Sequence, residues 1–229
     1  MYNEATAVGA VVAELRHSFD HVVCVDDGST DDSARVATAA GATVLRHPIN
    51  LGMGAALQTG FSYALRNGAP DWIVTFDADG QHRVTDAVHM VERARREAVD
   101  LVLGSRFLGG PSTTMPATRR AVLRGAVHFT RVTSGLRVSD AHNGLRVLSR
   151  RAVGELRITM SGMAHASEIL DQVAARGLSW VEHPVTVDYT DYSRGKGQSN
   201  LNAINISLDL IGKRLRTGGV RRAGRSIAH

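Results

Sequence analysis

The chain has 229 residues, with 27 Lys and Arg against 22 Asp and Glu for a formal charge of +5, and is 43% hydrophobic and 21% charged. That balance suits a globular protein with one sizeable core and excludes a disordered or fibrous chain. A single cysteine, Cys24, excludes an intrachain disulfide and fits a reducing compartment. No apolar run approaches the ~20 residues that a bilayer requires, and no basic-then-apolar leader pattern opens the chain, so any membrane association is expected to be peripheral.

The chain opens on Met1-Tyr2-Asn3-Glu4, with the polar look of a loop that leaves a strand and enters a helix, and the spacing of Val8, Val11, Val12 and Leu15 predicts that helix between Ala7 and Phe19. Nothing before it supplies the strand, so either the fold lacks that first strand or the sequence starts after it. His21 to Val25 reads as a buried parallel strand, and Asp26-Asp27-Gly28-Ser29 as the turn after it. A small-residue helix from Ser33 to Ala40, ended by Gly41, leads to a strand Thr43–Arg46. Asn50-Leu51-Gly52-Met53-Gly54 then opens a helix that runs to Arg66, its glycines suited to close backbone approach of a ligand. Strand, turn and helix repeated at short spacing imply a doubly wound α/β domain, in which ligands gather at the carboxyl ends of the strands.

The next strand, within Asp71 to Phe76, ends in Asp77-Ala78-Asp79-Gly80-Gln81-His82. In an extended segment Asp77 and Asp79 face the same way, and two such carboxylates repel unless a cation lies between them. With the Gln81 amide oxygen they form a hard oxygen set for Mg2+ or Mn2+ carrying a phosphate or diphosphate. The other reading makes them solvated turn residues that cap the next helix.

Beyond a helix from His82 to Ala98, the strand Asp100–Gly104 delivers Ser105 and Arg106 to the same edge. Residues 109–118 read as a Gly/Pro/Ser/Thr-rich flap, followed by a helix carrying Arg119, Arg120 and Arg124. Ser139 to Arg146 is a second polar cluster, with Asp140 as base or positioning carboxylate and His142 as a proton carrier or a structural residue, before the strand-like Val147-Leu148. A helix over Met160 to Ala175 carries His165 and Glu168. A strand over Trp180 to Val187 and a second flap with Arg194 and Lys196 follow. An amphipathic helix occupies 200–216, with a basic, disordered tail at 217–229. The late run of Lys213, Arg214, Arg216, Arg221, Arg222 and Arg225 suits either an anionic membrane surface or solvent.

Taken together, Tyr2-Asn3-Glu4, Val25 to Ser29, Asn50-Leu51-Gly52, Asp77 to His82, Gly104-Ser105-Arg106 and Asp140 to Arg146 resemble, in order, family 2 glycosyltransferases. The branch they are most similar to is that of polyprenyl-phosphate (dolichyl-phosphate) mannosyl- and glucosyltransferases. The resemblance implies a GT-A fold, a Rossmann-like mixed, mostly parallel sheet flanked by helices, over residues 1–199. It implies that Tyr2, Glu4, Val25, Asp27 and Ala78 surround the nucleotide-sugar, and that Asp77, Asp79 and Gln81 meet Mg2+ or Mn2+ and the diphosphate. Arg106, Arg119, Arg194 and Lys196 would contact phosphates of donor or acceptor, and Asp140 would lie by the reacting centre. The partners implied are a UDP- or GDP-sugar and a polyprenyl-phosphate or glycan acceptor, with peripheral contact to an anionic membrane from the cytoplasmic side and no nucleic acid. Leu123 stands where the family offers a small hydroxyl residue, and Asn200 where it ends a motif with Lys, so a saccharide hydroxyl stays open as acceptor. A metal-dependent nucleotidyltransferase and an inactive nucleotide-binding module are the other classes considered. Neither an early Gly-rich basic loop for a triphosphate nor loss of Asp77, Asp79, Gln81 and Arg106 is present to favour them.

Overall fold

A computed structural model describes residues 1–68, 70–108, 136–162 and 164–188. The flap at 109–118, Arg119, Arg120, Leu123 and Arg124, the second flap with Arg194 and Lys196, the helix at 200–216 and the tail at 217–229 lie outside the described residues.

The first half comprises α1 (Val8–Arg16), β1 (Val23–Asp26), α2 (Ser33–Ala39), β2 (Thr43–Arg46) and α3 (Met53–Arg66). Val8, Val12 and Leu15 recur at helical spacing and form the buried side of α1, where Val8 and Val12 pack with Ala37 and Ala42. β1 and β2 pair in parallel, from Val23 opposite Thr43 to Asp26 opposite Arg46. The Val22 and Asp26 carbonyls face β2, accepting from Thr43 and His47, whereas the Val25 carbonyl accepts from the Met1 ammonium at 2.8 Å and Asp27 N–H donates to the Met1 carbonyl at 2.9 Å. Met1 thus pairs with the edge of β1 away from β2. Among the described residues no strand precedes α1, and this one residue takes the ladder position expected of it.

The second half comprises β3 (Trp72–Thr75), α4 (Val84–Glu97), β4 (Leu101–Ser105), β5 (Arg146–Ser149), α5 (Arg150–Glu155), α6 (Ala164–Arg176) and β6 (Trp180–Pro184). These strands form a sheet in the order β3-β5-β4-β6, with β4 parallel to β6 and β5 antiparallel to both β3 and β4. Three strands therefore run one way and β5 alone opposes them. All five residues of β4 are buried, as a strand covered on both faces requires. Val102 packs with Val147 beneath Ala87, Met90 and Ala94 of α4, while Leu101, Leu103 and Leu148 pack with Phe61, Leu156, Ile169, Leu170 and Val173 on the other face. Among the described residues no helix is long and apolar enough to cross a membrane.

Three local expectations change. The helix α5 is additional; Ser149 starts it, its hydroxyl accepting from Ala152 N–H at 3.0 Å. The helix expected from Met160 begins at Ala164 instead, because the Thr159 and Met160 N–H groups are bonded by the Glu168 carboxylate. The last strand ends at Pro184, and Val187 makes only an isolated bridge to His82.

Gly54, in the first turn of α3, lets the helix dock on residues 158–162: a Cβ there would strike the Met160 carbonyl oxygen and crowd Ile158 and His165. We expect Gly54→Ala to cost about 1–3 kcal/mol in denaturant unfolding, the range for overpacking. Gly154→Ala, in α5 with nothing within 4 Å of the added atom, should stay within about 0.5 kcal/mol of the parent or slightly above it.

Candidate active site

Strands β3 and β4 end at one edge of their sheet, and β5 starts there because it runs the other way, while Ala78 packs against the cluster that joins α1 to Cys24 of β1. Asp77 to Gln81, Arg106 and Asp140 to Arg146 are gathered by that topology, and Asp26-Asp27 end the strand of the neighbouring sheet. Asp26 is fully buried and closes its own turn, accepting from Ser29 N–H at 3.1 Å and from Arg46 Nε at 3.2 Å. Asp27 reaches the second loop: Leu51 and Gly52 N–H donate to its two oxygens at 2.9 and 2.8 Å, and His47 Nδ1 lies 2.7 Å away. Burial pushes this carboxyl up, but those hydrogen bonds outweigh it and hold it below the ordinary value. The Tyr2–Glu4 loop is tied to the same turn through Asn3 N–H to Ser29 Oγ at 2.9 Å and Glu4 N–H to Ser33 Oγ at 2.7 Å. Tyr2 is exposed beside it, and Val25 is a core residue of β1.

The extended run expected through Asp79 is corrected here, for β3 stops at Thr75 and Ala78-Asp79 form a turn. Gln81 N–H donates to Asp79 Oδ1 at 3.1 Å, and Gly80 takes φ +73°, a left-handed conformation that glycine adopts without strain. Neither carboxylate caps α4, whose N-cap residue is Arg83. His82 Nε2 lies 3.1 Å from Asp77 Oδ2, while 37% of the Asp77 side chain stays accessible. Burial raises the Asp77 carboxyl, but His82, Arg146 and His165 more than offset it, leaving it below the ordinary value. Asp79 goes the other way, pushed up by burial and by the charge of Asp77. Gly144 lies directly against this pair; a Cβ there would fall on the Asp77 carboxylate. The Asp77 charge opposes ionisation of Asp79, and such a pair, with an amide oxygen two residues on, is the donor type that a hard divalent cation takes.

Arg106 and Asp140 make a buried two-pronged ion pair, Nε to Oδ2 at 2.6 Å and Nη2 to Oδ1 at 2.8 Å, with the Asp140 side chain 1% exposed. Arg106 N–H and His142 N–H add to the same carboxylate. Burial raises the Asp140 carboxyl, yet the guanidinium and these donors hold it below the ordinary range. Behind it, Glu182 of β6 accepts from the Ser139 N–H and hydroxyl at 2.7 and 2.9 Å, fixing the loop that carries Asp140. Burial drives the His142 imidazole down to about 4, so it is neutral near pH 7. His82, Gly144, Arg146 and Glu182 are parts of this site that sequence reasoning did not single out. Of these, Gly144 and Arg146 lie inside a polar cluster that was recognised, whereas Glu182 in an apolar strand carried no signal.

The fold is that of a GT-A glycosyltransferase. It superposes over the whole of this chain and 81% of the other on glucosyl-3-phosphoglycerate synthase from Mycobacterium tuberculosis in complex with Mn2+, UDP-glucose and phosphoglyceric acid, with a TM-score of 0.68 at 18% identity. Residues 1–157 match the sequence model of Glycosyl transferase family 2, and the chain belongs to that family. It is 29% identical over 231 residues to the UDP-N-acetylglucosamine–dolichyl-phosphate N-acetylglucosaminyltransferase of Methanococcus voltae, covering 92% of each chain. It is 28% identical over 217 residues to the polyprenol monophosphomannose synthase of Mycolicibacterium smegmatis, covering 90% of this chain and 80% of that one. The protein is a glycosyltransferase whose relatives include enzymes named for polyprenyl-phosphate acceptors.

A depressed carboxyl stabilises the fold above its ordinary value of about 3.9 and ceases to do so as pH falls through its lower folded value. Asp140→Asn removes that contribution and leaves Arg106 buried without its counter-charge, so near pH 7 we expect a loss of about 3–5 kcal/mol in urea unfolding. The difference from the parent should narrow only below about pH 4. A gap that narrowed between pH 6 and 8 would point to another group.

Proposed function

We propose that the protein transfers a hexose from a UDP- or GDP-sugar to a polyprenyl-phosphate acceptor, with inversion at C1 and dependence on Mg2+ or Mn2+. The observation that carries this reading is the gathering of Asp77, Asp79 and the Arg106–Asp140 pair at one edge of the β3-β5-β4-β6 sheet. Tyr2, Glu4, Val25, Asp27 and Ala78 form the nucleoside side of this site, with Asp27 holding the Leu51–Gly52 backbone in place. Asp77, Asp79 and Gln81 hold the divalent ion, which when bound supplies positive charge to the donor diphosphate. Arg119, Arg194 and Lys196 are the phosphate contacts implied by family resemblance.

In the reaction, an acceptor oxygen forms a bond to C1 of the sugar as the bond from C1 to the diphosphate oxygen breaks from the opposite side. The nucleoside diphosphate leaves with the electron pair. A saccharide hydroxyl must lose a proton in this step, and Asp140, paired on both oxygens with Arg106 and held below the ordinary carboxylate range, is a weak base for it. A phosphate acceptor is already anionic near pH 7, its second pKa being about 6. The Asp140–Arg106 pair therefore favours the phosphate acceptor, with Asp140 orienting Arg106. Catalysis occupies residues 1–199, while the amphipathic sequence at 200–216 and the basic sequence at 217–229 bring the enzyme to the anionic cytoplasmic face of a membrane.

Thermal denaturation with UDP or GDP, with and without Mn2+, tests the donor half. One nucleotide should raise the melting temperature in a metal-dependent way, and Asp79→Ala should abolish the metal-dependent part. Equal stabilisation of the parent and Asp79→Ala would remove Asp79 from the metal set, and no stabilisation of the parent by either nucleotide would sink the donor assignment.

A further inference from the structure

Arg146 opens β5 between two partners, Thr75 of β3 and Leu103 of β4. Paired residues share a face of the sheet, and Leu148, two residues on, lies in the core with α5 and α6, so Arg146 points to that face as well. Asp77, two residues beyond Thr75, is its diagonal neighbour, within reach of a long side chain; the close approach of Gly144 to Asp77 shows that the two segments stay together past the end of the ladder. The residue is 4% exposed. Burial works against its charge while the charges of Asp77 and Asp140 favour it, and its own charge is felt by His142 and His165.

Both carboxylates are already engaged, Asp140 by the Arg106 fork and Asp77 by His82. The Arg146 guanidinium makes no hydrogen bond to another described residue, yet its nitrogens are not among the sealed, unsatisfied atoms of the interior. A buried guanidinium with open donors costs free energy unless something completes it. Its planar N–H groups match phosphate oxygens, which accept them in pairs. His142 and His165 are both driven toward the neutral form by burial, so the permanent positive charge at this point belongs to Arg146 and Arg106.

We infer that Arg146 donates hydrogen bonds to a phosphoryl oxygen of the bound substrate. The inference rests on the glycosyl-transfer reading above. The oxygen belongs either to the donor diphosphate or to the acceptor phosphate, which present the same chemistry at this point.

The test uses the full chain and Arg146→Met, with binding of UDP and GDP in the presence of Mn2+ and of farnesyl phosphate measured by calorimetry. Arg146→Met should weaken one ligand at least about tenfold, the loss of one charge-assisted hydrogen bond, while leaving the other near the parent value. Loss confined to the nucleotide assigns the donor diphosphate, and loss confined to farnesyl phosphate assigns the acceptor. Parent-like affinity for both ligands in a folded Arg146→Met overturns the inference and leaves Arg146 as a structural counter-charge. Should Arg146→Met fail to fold, Arg146→Lys takes its place, since it keeps the charge but not the fork. It should still weaken one ligand, and parent-like binding of both again overturns the inference. If the parent binds neither ligand, the glycosyl-transfer reading fails, and titration with inorganic pyrophosphate decides the arginine alone. Stabilisation of the parent that is lost in the variant upholds phosphate binding at Arg146, and no stabilisation of the parent overturns it.

Discussion

Carboxylates brought to one edge of a sheet repel one another, and the arrangement of this molecule follows from how each is answered. Asp26 is tied into its turn by Ser29 and Arg46, and Asp27 is held by the Leu51 and Gly52 backbone with His47. Asp140 is answered by Arg106 through two short hydrogen bonds. Asp77 has His82, whereas Asp79 accepts one hydrogen bond among the described residues, from the Gln81 N–H, and burial and the Asp77 charge raise its carboxyl. Asp79 is therefore the least compensated carboxylate of the set. Compensation elsewhere spends a hydrogen-bond donor at each acid and fixes the loops around the gap.

The one opposed strand makes this possible. Were β5 parallel to its neighbours, residues 140–145 would emerge at the far edge of the sheet, away from Asp77 and Arg106. Running antiparallel, β5 places Arg146 opposite Thr75, Gly144 against the Asp77 carboxylate and Asp140 within the Arg106 fork. Two covered faces hold that strand in register. Val147 packs toward α4 and Leu148 toward α5 and α6, so a slip by one residue would exchange them and bring Arg146 into the apolar core beneath α4. Packing energy thus enforces the geometry of the polar site.

Much of the fold was legible residue by residue. Thr43–Arg46 and the end of α3 at Arg66 stand where the apolar spacing put them, and Gly41, at φ +96°, does end the helix before it. Boundaries moved where a side chain outside the local pattern captured backbone donors, as Glu168 does at Thr159 and Met160. The Asp77-x-Asp79 pair was legible as a pair, but its extended geometry was not, because a Gly with positive φ and the Asn-like turn at Asp79 end the strand early. Asp140 was legible as a polar residue worth naming. Its partner was not, since Arg106 lies 34 positions away and nothing periodic in the sequence between them signals the contact.

By itself the sequence determined the alternation of strands and helices, the family and the acidic clusters at strand ends, since hydrophobic period, turn residues and motif order are local properties of the chain. Tertiary structure alone decided which acids are neutralised, by what, and where a buried charge is left with open donors. Those facts depend on pairwise distances across β3, β4, β5 and β6, and on the desolvation that closure of the core imposes. The direction of β5, through which Arg146 meets Asp77 and Asp140, is a property of how those strands pack, which no local stretch of the chain encodes.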